Sequence, residues 1–204
     1  MDIELSNIGR RFQRTWIFRN VNFQFPSGSH SIITGSNGSG KSTLLQIISG
    51  FLGASEGNVI YTLQGKEVSP DEIPLNVSFA APYLDLFEDL SLKESIEFHM
   101  TFRKSHFPMD THEFIQLLEL TPHENKALRY FSSGMKQRVR LGLAILCESD
   151  ILLLDEPTSN LDKNAVLWYR NILEKYSQNR TVIVSTNSNT DDYLKTDFEL
   201  VVNN

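Results

Sequence analysis

Cysteine is nearly missing: Cys147 is the single one in 204 residues, so the chain can form no internal disulfide. That fits a reducing compartment. Inside the apolar run Leu143-Ala144-Ile145-Leu146-Cys147 the thiol reads as a small hydrophobe rather than a reactive group. Long apolar runs are missing too; no stretch approaches the roughly 18 residues of a membrane span. Met1-Asp2-Ile3-Glu4 lacks the basic and apolar regions of a secretory leader. Any membrane role is therefore expected to run through a separate protein. A basic excess is absent as well: 19 Lys and Arg stand against 25 Asp and Glu, for a net charge of −6. That balance argues against a general nucleic-acid binder, with its basic face, while leaving room for a local basic patch, and no nucleic-acid partner is expected. The five histidines, His30, His99, His106, His112 and His123, show no metal-ligand spacing with one another or with Cys147. No repeat or low-complexity tract is visible.

What is present is ordinary for a globular chain: 40% hydrophobic and 22% charged residues, enough to bury a core in one domain. The chain is organised around Gly35-Ser36-Asn37-Gly38-Ser39-Gly40-Lys41-Ser42-Thr43. An apolar run, Ile32-Ile33-Thr34, precedes it and Leu44-Leu45-Gln46-Ile47-Ile48 comes after, so it reads as strand, glycine loop, helix. Gly35, Gly40, Lys41 and Ser42 match the phosphate-binding pattern. Glycines let the backbone turn tightly, so several N–H groups point at one anion, and the helix adds its positive dipole end. Lys41 would reach the β- and γ-phosphates, and the Ser42 hydroxyl would ligate Mg²⁺.

Along the chain, strands are expected at 2–8, 16–25, 30–34, 57–62, 75–81, 151–154, 181–185 and 197–202. Helices are expected at 41–50, 91–104, 110–119, 133–148 and 163–176, with a turn at Gly65-Lys66. Ser91 and Glu94 have the spacing of a capping box. Ile151–Leu154 and Thr181–Ser185 are apolar enough for parallel strands buried on both faces. Strands alternating with helices on either side of a helical middle make an α/β core of about 1–82 and 150–204, with a helical insertion of about 83–149 rather than a second domain.

Two further stretches carry chemistry. Asp155-Glu156 comes directly after the strand 151–154; in enzymes with a phosphate loop a carboxylate at that place holds Mg²⁺, and the next one acts as general base. The bland alternative is a pair of acids at a strand–helix junction, with Thr158 or Asp162 capping the next helix. Phe131-Ser132-Ser133-Gly134-Met135-Lys136-Gln137-Arg138 again puts small hydroxyl residues and glycine at a helix start, with basic residues after them. That is either a second anion-binding helix N-terminus or an ordinary cap with a solvated basic face.

The combination, in this order, resembles the ABC ATPases, the nucleotide-binding subunits of ABC transporters, over nearly the whole chain. The resemblance implies a P-loop (RecA-like) core with an antiparallel β subdomain and an inserted helical subdomain. In its terms Gly35–Thr43 is similar to the Walker A loop, Ile151–Asp155 to the Walker B strand and Glu156 to the catalytic glutamate. Phe131–Met135 is similar to the signature motif, with Ser132 and Gly134 at the phosphate-contacting positions, and Ser159–Asp162 to the D-loop. Phe12, with Trp16 as competitor, lies where the family has the aromatic that stacks on adenine. ATP and Mg²⁺ are the implied ligands. Two subunits, identical or not, would close head-to-tail over two ATP molecules and drive a membrane-embedded permease from the cytoplasmic face. The wording of the signature is most like exporters whose ATPase and membrane subunits are separate chains. Two other readings stay open: a degenerate subunit that binds ATP and scarcely hydrolyses it, and a non-transport ABC ATPase.

Three departures bear on that choice. The glutamine expected after the strand near 77–81 is absent, and Ala81-Pro82-Tyr83 stands there. The signature has Ser133 and Met135 where Gly and Gln are commoner. The histidine expected after 181–185 is replaced by Asn187, which is therefore a candidate catalytic residue beside Lys41 and Glu156.

Overall fold

The structure, a computed structural model, describes residues 1–202; Asn203 and Asn204, the end of the expected core segment, lie outside the described residues. The chain begins with a hairpin, β1 (Asp2–Phe12) and β2 (Thr15–Phe25), and then enters β3 (His30–Thr34) and α1 (Lys41–Ile48). It continues through β4 (Glu56–Leu63), β5 (Lys66–Glu67), a helical turn α2 (Ile73–Asn76) and β6 (Val77–Ala80). Three helices come next: α3 (Leu92–Met100), α4 (Thr111–Leu117) and α5 (Ser133–Ile145). The last part alternates, with β7 (Ile151–Asp155), α6 (Lys163–Tyr176), β8 (Thr181–Ser185) and β9 (Phe198–Val201).

Two sheets result. One is antiparallel in the order β2-β1-β4-β5; the other is parallel in the order β6-β7-β8-β3-β9. The inner strands β7 and β8 are buried at every position, as their apolar runs require, while the edge strand β9 is mostly exposed. Alternate residues go to different layers. Ile33, Ile151, Leu153 and Ile183 face the antiparallel sheet and α1, together with Ile3, Leu5, Phe25 and Leu44. Ile32, Leu152, Leu154, Val182 and Val184 face the helices, together with Ile96, Phe114, Val139 and Tyr169. One-residue slips in register would exchange these two sets, so the pattern pins the pairing.

The register also fixes where the strands end. Ile33 of β3 and Asp155 of β7 both lie opposite Ser185 of β8. The carboxyl ends of three neighbouring strands therefore stop level, and strands in a sheet are only about 4.8 Å apart. Loops leaving those ends are forced together, at the edge where ligands of open α/β sheets bind.

Some boundaries differ from the sequence reading, for identifiable reasons. The strand expected from 75 starts at Val77, because Leu75 and Asn76 close a helical turn. The Arg103 guanidinium gathers the carbonyls of Leu75 at 2.7 Å and Val77 at 2.8 Å, along with that of Pro74. The helix expected to 148 ends at Ile145, where Arg180 donates to the carbonyls of Ile145 at 2.9 Å and Ala144 at 3.2 Å. β1 runs on to Phe12, so Phe12 pairs with Thr15 at the hairpin end instead of lying in a loop. The turn placed at Gly65-Lys66 is one residue earlier: Gln64 (φ 52°) and Gly65 (φ 79°) form the two-residue link between β4 and β5. The Ser91–Glu94 capping box is present, with Glu94 N–H donating to Ser91 Oγ at 3.2 Å and Ser91 N–H to Glu94 Oε2 at 2.8 Å.

Candidate functional site

The glycine loop leaves β3 and runs into α1 with Gly40 at the helix start. Gly40 has φ 100°, and a side chain there would sit 2.5 Å from Ile17 Cγ2 and 2.7 Å from Phe18 Cδ1. Gly35 has φ 149°, and a side chain there would run into the Val202 carbonyl. These two positions are closed to other residues by conformation and by space. α1 has no side-chain N-cap, whereas α3, α4, α5 and α6 are capped by Ser91, Asp110, Ser132 and Asp162. Its first-turn N–H groups are thus left to whatever enters the loop, which favours an anion.

Lys41 is buried, at 5% exposure. Its Nζ donates to the Gly35 carbonyl at 3.0 Å, the Ser36 carbonyl at 3.2 Å and Asn187 Oδ1 at 2.6 Å. All three acceptors are neutral, so the buried ammonium has no carboxylate among its direct partners. The other end of the same amide, Asn187 Nδ2, donates to Glu156 Oε1. Asn187 therefore bridges the lysine from β3's loop and the glutamate from β7's end. An amide suits that place because it offers an acceptor and donors at once. The bridge closes one side of a 360 Å³ cavity lined by Ile17, Asn37, Gly38, Gly40, Lys41, Ser42, Thr43, Glu156 and Asn187.

Asp155, the neighbour of Glu156 in the chain, is buried at 2% exposure and does not itself line the cavity. One of its oxygens accepts from the Ser185 hydroxyl; the other, Oδ2, has no hydrogen-bond partner. The Tyr83 phenol stands near this carboxylate and near Gln46. Burial first, and then the Asp155 charge, push its phenol pKa up, so it stays a hydroxyl. Ser39 is fully buried under the loop, and its N–H donates to the Ser36 carbonyl at 3.0 Å. Ser36 thus contributes its carbonyl to Lys41 rather than its side chain to the cavity wall.

Phe12, Ser132 and Gly134 are not brought to this cavity. Phe12 is 47% exposed, with the Arg10 guanidinium 4.5 Å over its ring. The competitor Trp16 carries two guanidiniums, Arg19 at 4.3 Å and Arg11 at 5.5 Å. Ser132 caps α5 by accepting from Met135 N–H at 3.2 Å. Gly134 lies against the loop after β7: a side chain there would stand 2.8 Å from the Asn160 carbonyl. That second helix start borders a separate 420 Å³ cavity, shared with Glu119, Arg138, Asn160 and Asp162. The two cavities have no lining residue in common.

Sequence reasoning missed three neighbours of the site. Ile17 packs on Gly40, Tyr83 faces Asp155, and Asp192 sits behind Asn187 bonded to Thr158 and Thr186. Tyr83 carried a signal, as the residue standing where an amide was expected. Ile17 and Asp192 carried none, being an aliphatic in a strand and an acid in a polar loop. Cys147 is fully buried and burial pushes its thiol up to about 11, in keeping with a hydrophobe's role.

Comparison with known proteins agrees with this geometry. The family described as ABC transporter matches residues 18–159, well over half the chain. The sulfate/thiosulfate import ATP-binding protein CysA of Mesostigma viride is 34% identical over 91% of this chain and 55% of its own length. The spermidine/putrescine import ATP-binding protein PotA of Thermotoga maritima is 32% identical over 79% of this chain and 44% of its own length. The chain thus spans about half the length of these import proteins. An uncharacterised ABC transporter ATP-binding protein of Bacillus subtilis, YybJ, is 28% identical over 94% of this chain and 88% of its own length. Among solved structures, a dimeric ATP-binding cassette bound to ADP and Pi superposes with a TM-score of 0.78, 25% identity, and 93% and 90% of the two chains covered. A bacterial ABC exporter with ATP bound shares the fold at a TM-score of 0.82 and 19% identity, over 99% of this chain and 37% of that one. The chain belongs to the ABC transporter family, and its fold is that family's ATP-binding cassette.

Proposed function

We propose that the chain binds ATP in the Lys41 cavity, closes head-to-tail on a second cassette, and hydrolyses ATP to drive a separate membrane permease. The observation that carries this reading is the convergence of Lys41, Asn187 and Glu156 on one cavity at an uncapped helix start. Asn37, Gly38, Gly40, Ser42 and Thr43, which line the cavity, wrap the triphosphate through backbone N–H groups and hydroxyls, and Gly35, Ser36 and Ser39 shape the loop that carries them. Lys41 turns from its three neutral acceptors to the β- and γ-phosphates. Glu156 takes a proton from the attacking water as that water bonds to the γ-phosphorus and ADP leaves. Asn187 holds Glu156 in line. Phe12 stacks on the adenine and leaves Trp16 to its two arginines.

The donor set fits Mg²⁺: Asp155 keeps a buried oxygen without a partner, and Ser42 lines the cavity. When bound, Mg²⁺ neutralises the β- and γ-phosphate oxygens. Ser132 and Gly134 face the ATP of the second subunit, which accounts for a signature site that shares nothing with the cavity of its own chain. Residues 83–149 form the helical subdomain that meets the permease. That surface exposes Phe87, Phe98 and Phe102 in edge-to-face contacts at 5.2 and 5.3 Å. No helix among the described residues is long and apolar enough to cross a membrane, and the proposed place of the chain is the cytoplasmic face, through the permease. The exporter-like wording of the signature and the import roles of CysA and PotA point to opposite directions of transport. The hydrolytic chemistry is the same in both.

A second reading, a subunit that holds ATP and hardly turns it over, is favoured by the Ala81-Pro82-Tyr83 stretch and by Asn187. Glu156 inside the cavity argues against it. Gel filtration of Glu156→Gln separates the possibilities. With saturating Mg-ATP this variant should run as a dimer, because the site keeps its shape but loses its base. A variant that stays monomeric counts against the sandwich, and one that keeps the parent's turnover counts against Glu156 as the base.

A further inference from the structure

Asp192 is a buried acid, 3% exposed, on the short turn Thr190–Asp192 beyond β8. Its Oδ1 accepts from the Thr158 N–H at 3.1 Å and the Thr158 hydroxyl at 2.5 Å. Its Oδ2 accepts from the Thr186 hydroxyl at 2.6 Å. The Tyr169 hydroxyl donates to its backbone carbonyl at 2.6 Å. Asn189 Nδ2 adds a bond to Thr158 Oγ1 at 2.9 Å, and Asn189 N–H one to Thr186 Oγ1 at 3.0 Å. A buried carboxylate is costly unless its lone pairs are filled, and here they are filled from two different loops.

Those loops carry the two ends of the Glu156–Asn187 hydrogen bond. Thr158 is two residues after Glu156, and Thr186 is one residue before Asn187. Both loops are also held in unusual backbone: Glu156 has φ 42°, Asn160 φ 64° and Ser188 φ 67°. Left-handed backbone at non-glycine residues persists only where the surroundings over-determine it. The Asp192 carboxylate, itself in the loop after β8, grips Thr158 across the gap and Thr186 within its own loop, and Asn189 adds a second tie to Thr158.

We propose that Asp192 is a positioning residue for ATP hydrolysis. Through Thr158 and Thr186 it locks the loop after β7 against the loop after β8, and so holds the Asn187 amide on Glu156. Asp192 does not line the Lys41 cavity; it acts through Asn187. The 158–162 segment it grips is also the one whose Asn160 carbonyl lies against Gly134, so one carboxylate braces the residues beside both cavities.

The inference rests on the reading of the Lys41 cavity as an ATPase site, and a double-mutant cycle separates the two. Steady-state hydrolysis is measured for the parent, Asp192→Ala, Asp192→Asn, Asn187→Ala and the Asp192→Ala/Asn187→Ala pair, with ATP affinity by calorimetry and melting temperature on the same samples. Asp192→Ala should lower kcat at least ~10-fold, since displacement of a catalytic group by about 1 Å costs up to ~10²-fold. ATP affinity should stay within about 3-fold, because Lys41 and the glycine loop do not touch Asp192. Asp192→Asn, with the same shape and one acceptor kept, should recover part of the rate, and it carries the cycle if the alanine variant does not fold. In the Asn187→Ala background the Asp192 substitution should cost less than about 3-fold, because the group it positions is gone. Equal fold-losses in both backgrounds overturn the proposal, and so does a fall in melting temperature with kcat unchanged. A parent that hydrolyses no ATP overturns this and the ATPase reading together; a parent that hydrolyses ATP with additive losses overturns the positioning alone.

Discussion

Helix α1 and helix α5 both begin in stretches of glycine and serine, but only α5 is capped by a side chain, Ser132 accepting from Met135 N–H at 3.2 Å. The surroundings differ in the same sense. The α1 start meets a buried lysine, a glutamate and the amide that joins them, all from its own chain. The α5 start meets the Asn160 carbonyl, Asp162, Glu119 and Arg138, with neither a strand-end carboxylate nor a phosphate-loop lysine beside it. In the proposed function the first site holds the parts for binding and proton transfer within one chain. The second has only a helix end and a glycine, and is useful when something else brings the phosphate. In the proposed dimer that something is the other subunit's ATP.

Breaking the α1 side should have the largest effect on binding. Lys41→Ala removes the cation proposed to face the phosphates, and a charge-assisted contact contributes on the order of 1.5–3 kcal/mol, or about 10- to 100-fold in affinity. Calorimetry with ATP reads this directly; unchanged affinity would defeat the assignment of the loop. Breaking the α5 side should spare binding and strike turnover. In Gly134→Ala the new Cβ meets the Asn160 carbonyl at 2.8 Å, so the helix start or the loop has to move. ATP affinity of the lone chain should change less than about 2-fold while steady-state turnover falls about 10-fold, as expected for a group that works only in the closed state. A parallel loss of binding and turnover would mean that the two helix starts are not separate in function. Smaller still is Phe12→Ala, whose stacking contribution of about 0.5–1.5 kcal/mol corresponds to about 2- to 10-fold in affinity, nearly equal for ATP and GTP. Fluorescence titration with the two nucleotides checks it, and Trp16→Ala in the same series should have less effect.

Legibility in the sequence tracked the range of the forces involved. Ile151–Leu154 and Thr181–Ser185 announced parallel strands because burial on both faces calls for consecutive apolar residues, Ile151–Leu154 in one and Val182–Val184 in the other. The glycine loop was legible because its conformation admits few other residues. Helix ends were not, where a distant side chain decides them. Arg180, on the far side of the helical segment, stops α5 at Ile145, and Arg103 does the same to the expected strand at Leu75. Asn187 was legible only as a departure from the family's histidine. That its amide spans Lys41 and Glu156 depends on β3, β8 and β7 lying side by side, which is a property of the sheet order. Asp192 was invisible for the same reason, since its partner across the gap, Thr158, lies in the loop of a different strand.

The central claim is that the Asn187 amide works at the reacting end of the ATP site, and single-turnover ATP hydrolysis tests it most directly. The parent, Asn187→Ala and Asn187→His would be compared from about pH 6 to 7, the range in which a histidine changes charge. No histidine lines the cavity among the described residues, so the parent should hydrolyse ATP slowly, with little dependence on pH across this range. Asn187→His should raise the rate at least ~3-fold and introduce a titration, since positioned acid–base groups contribute ~10²–10⁴-fold and Glu156 already supplies part of that. Asn187→Ala should fall below the parent. An Asn187→Ala chain that hydrolyses ATP as fast as the parent would contradict the account, because residue 187 would then have no part in the reaction.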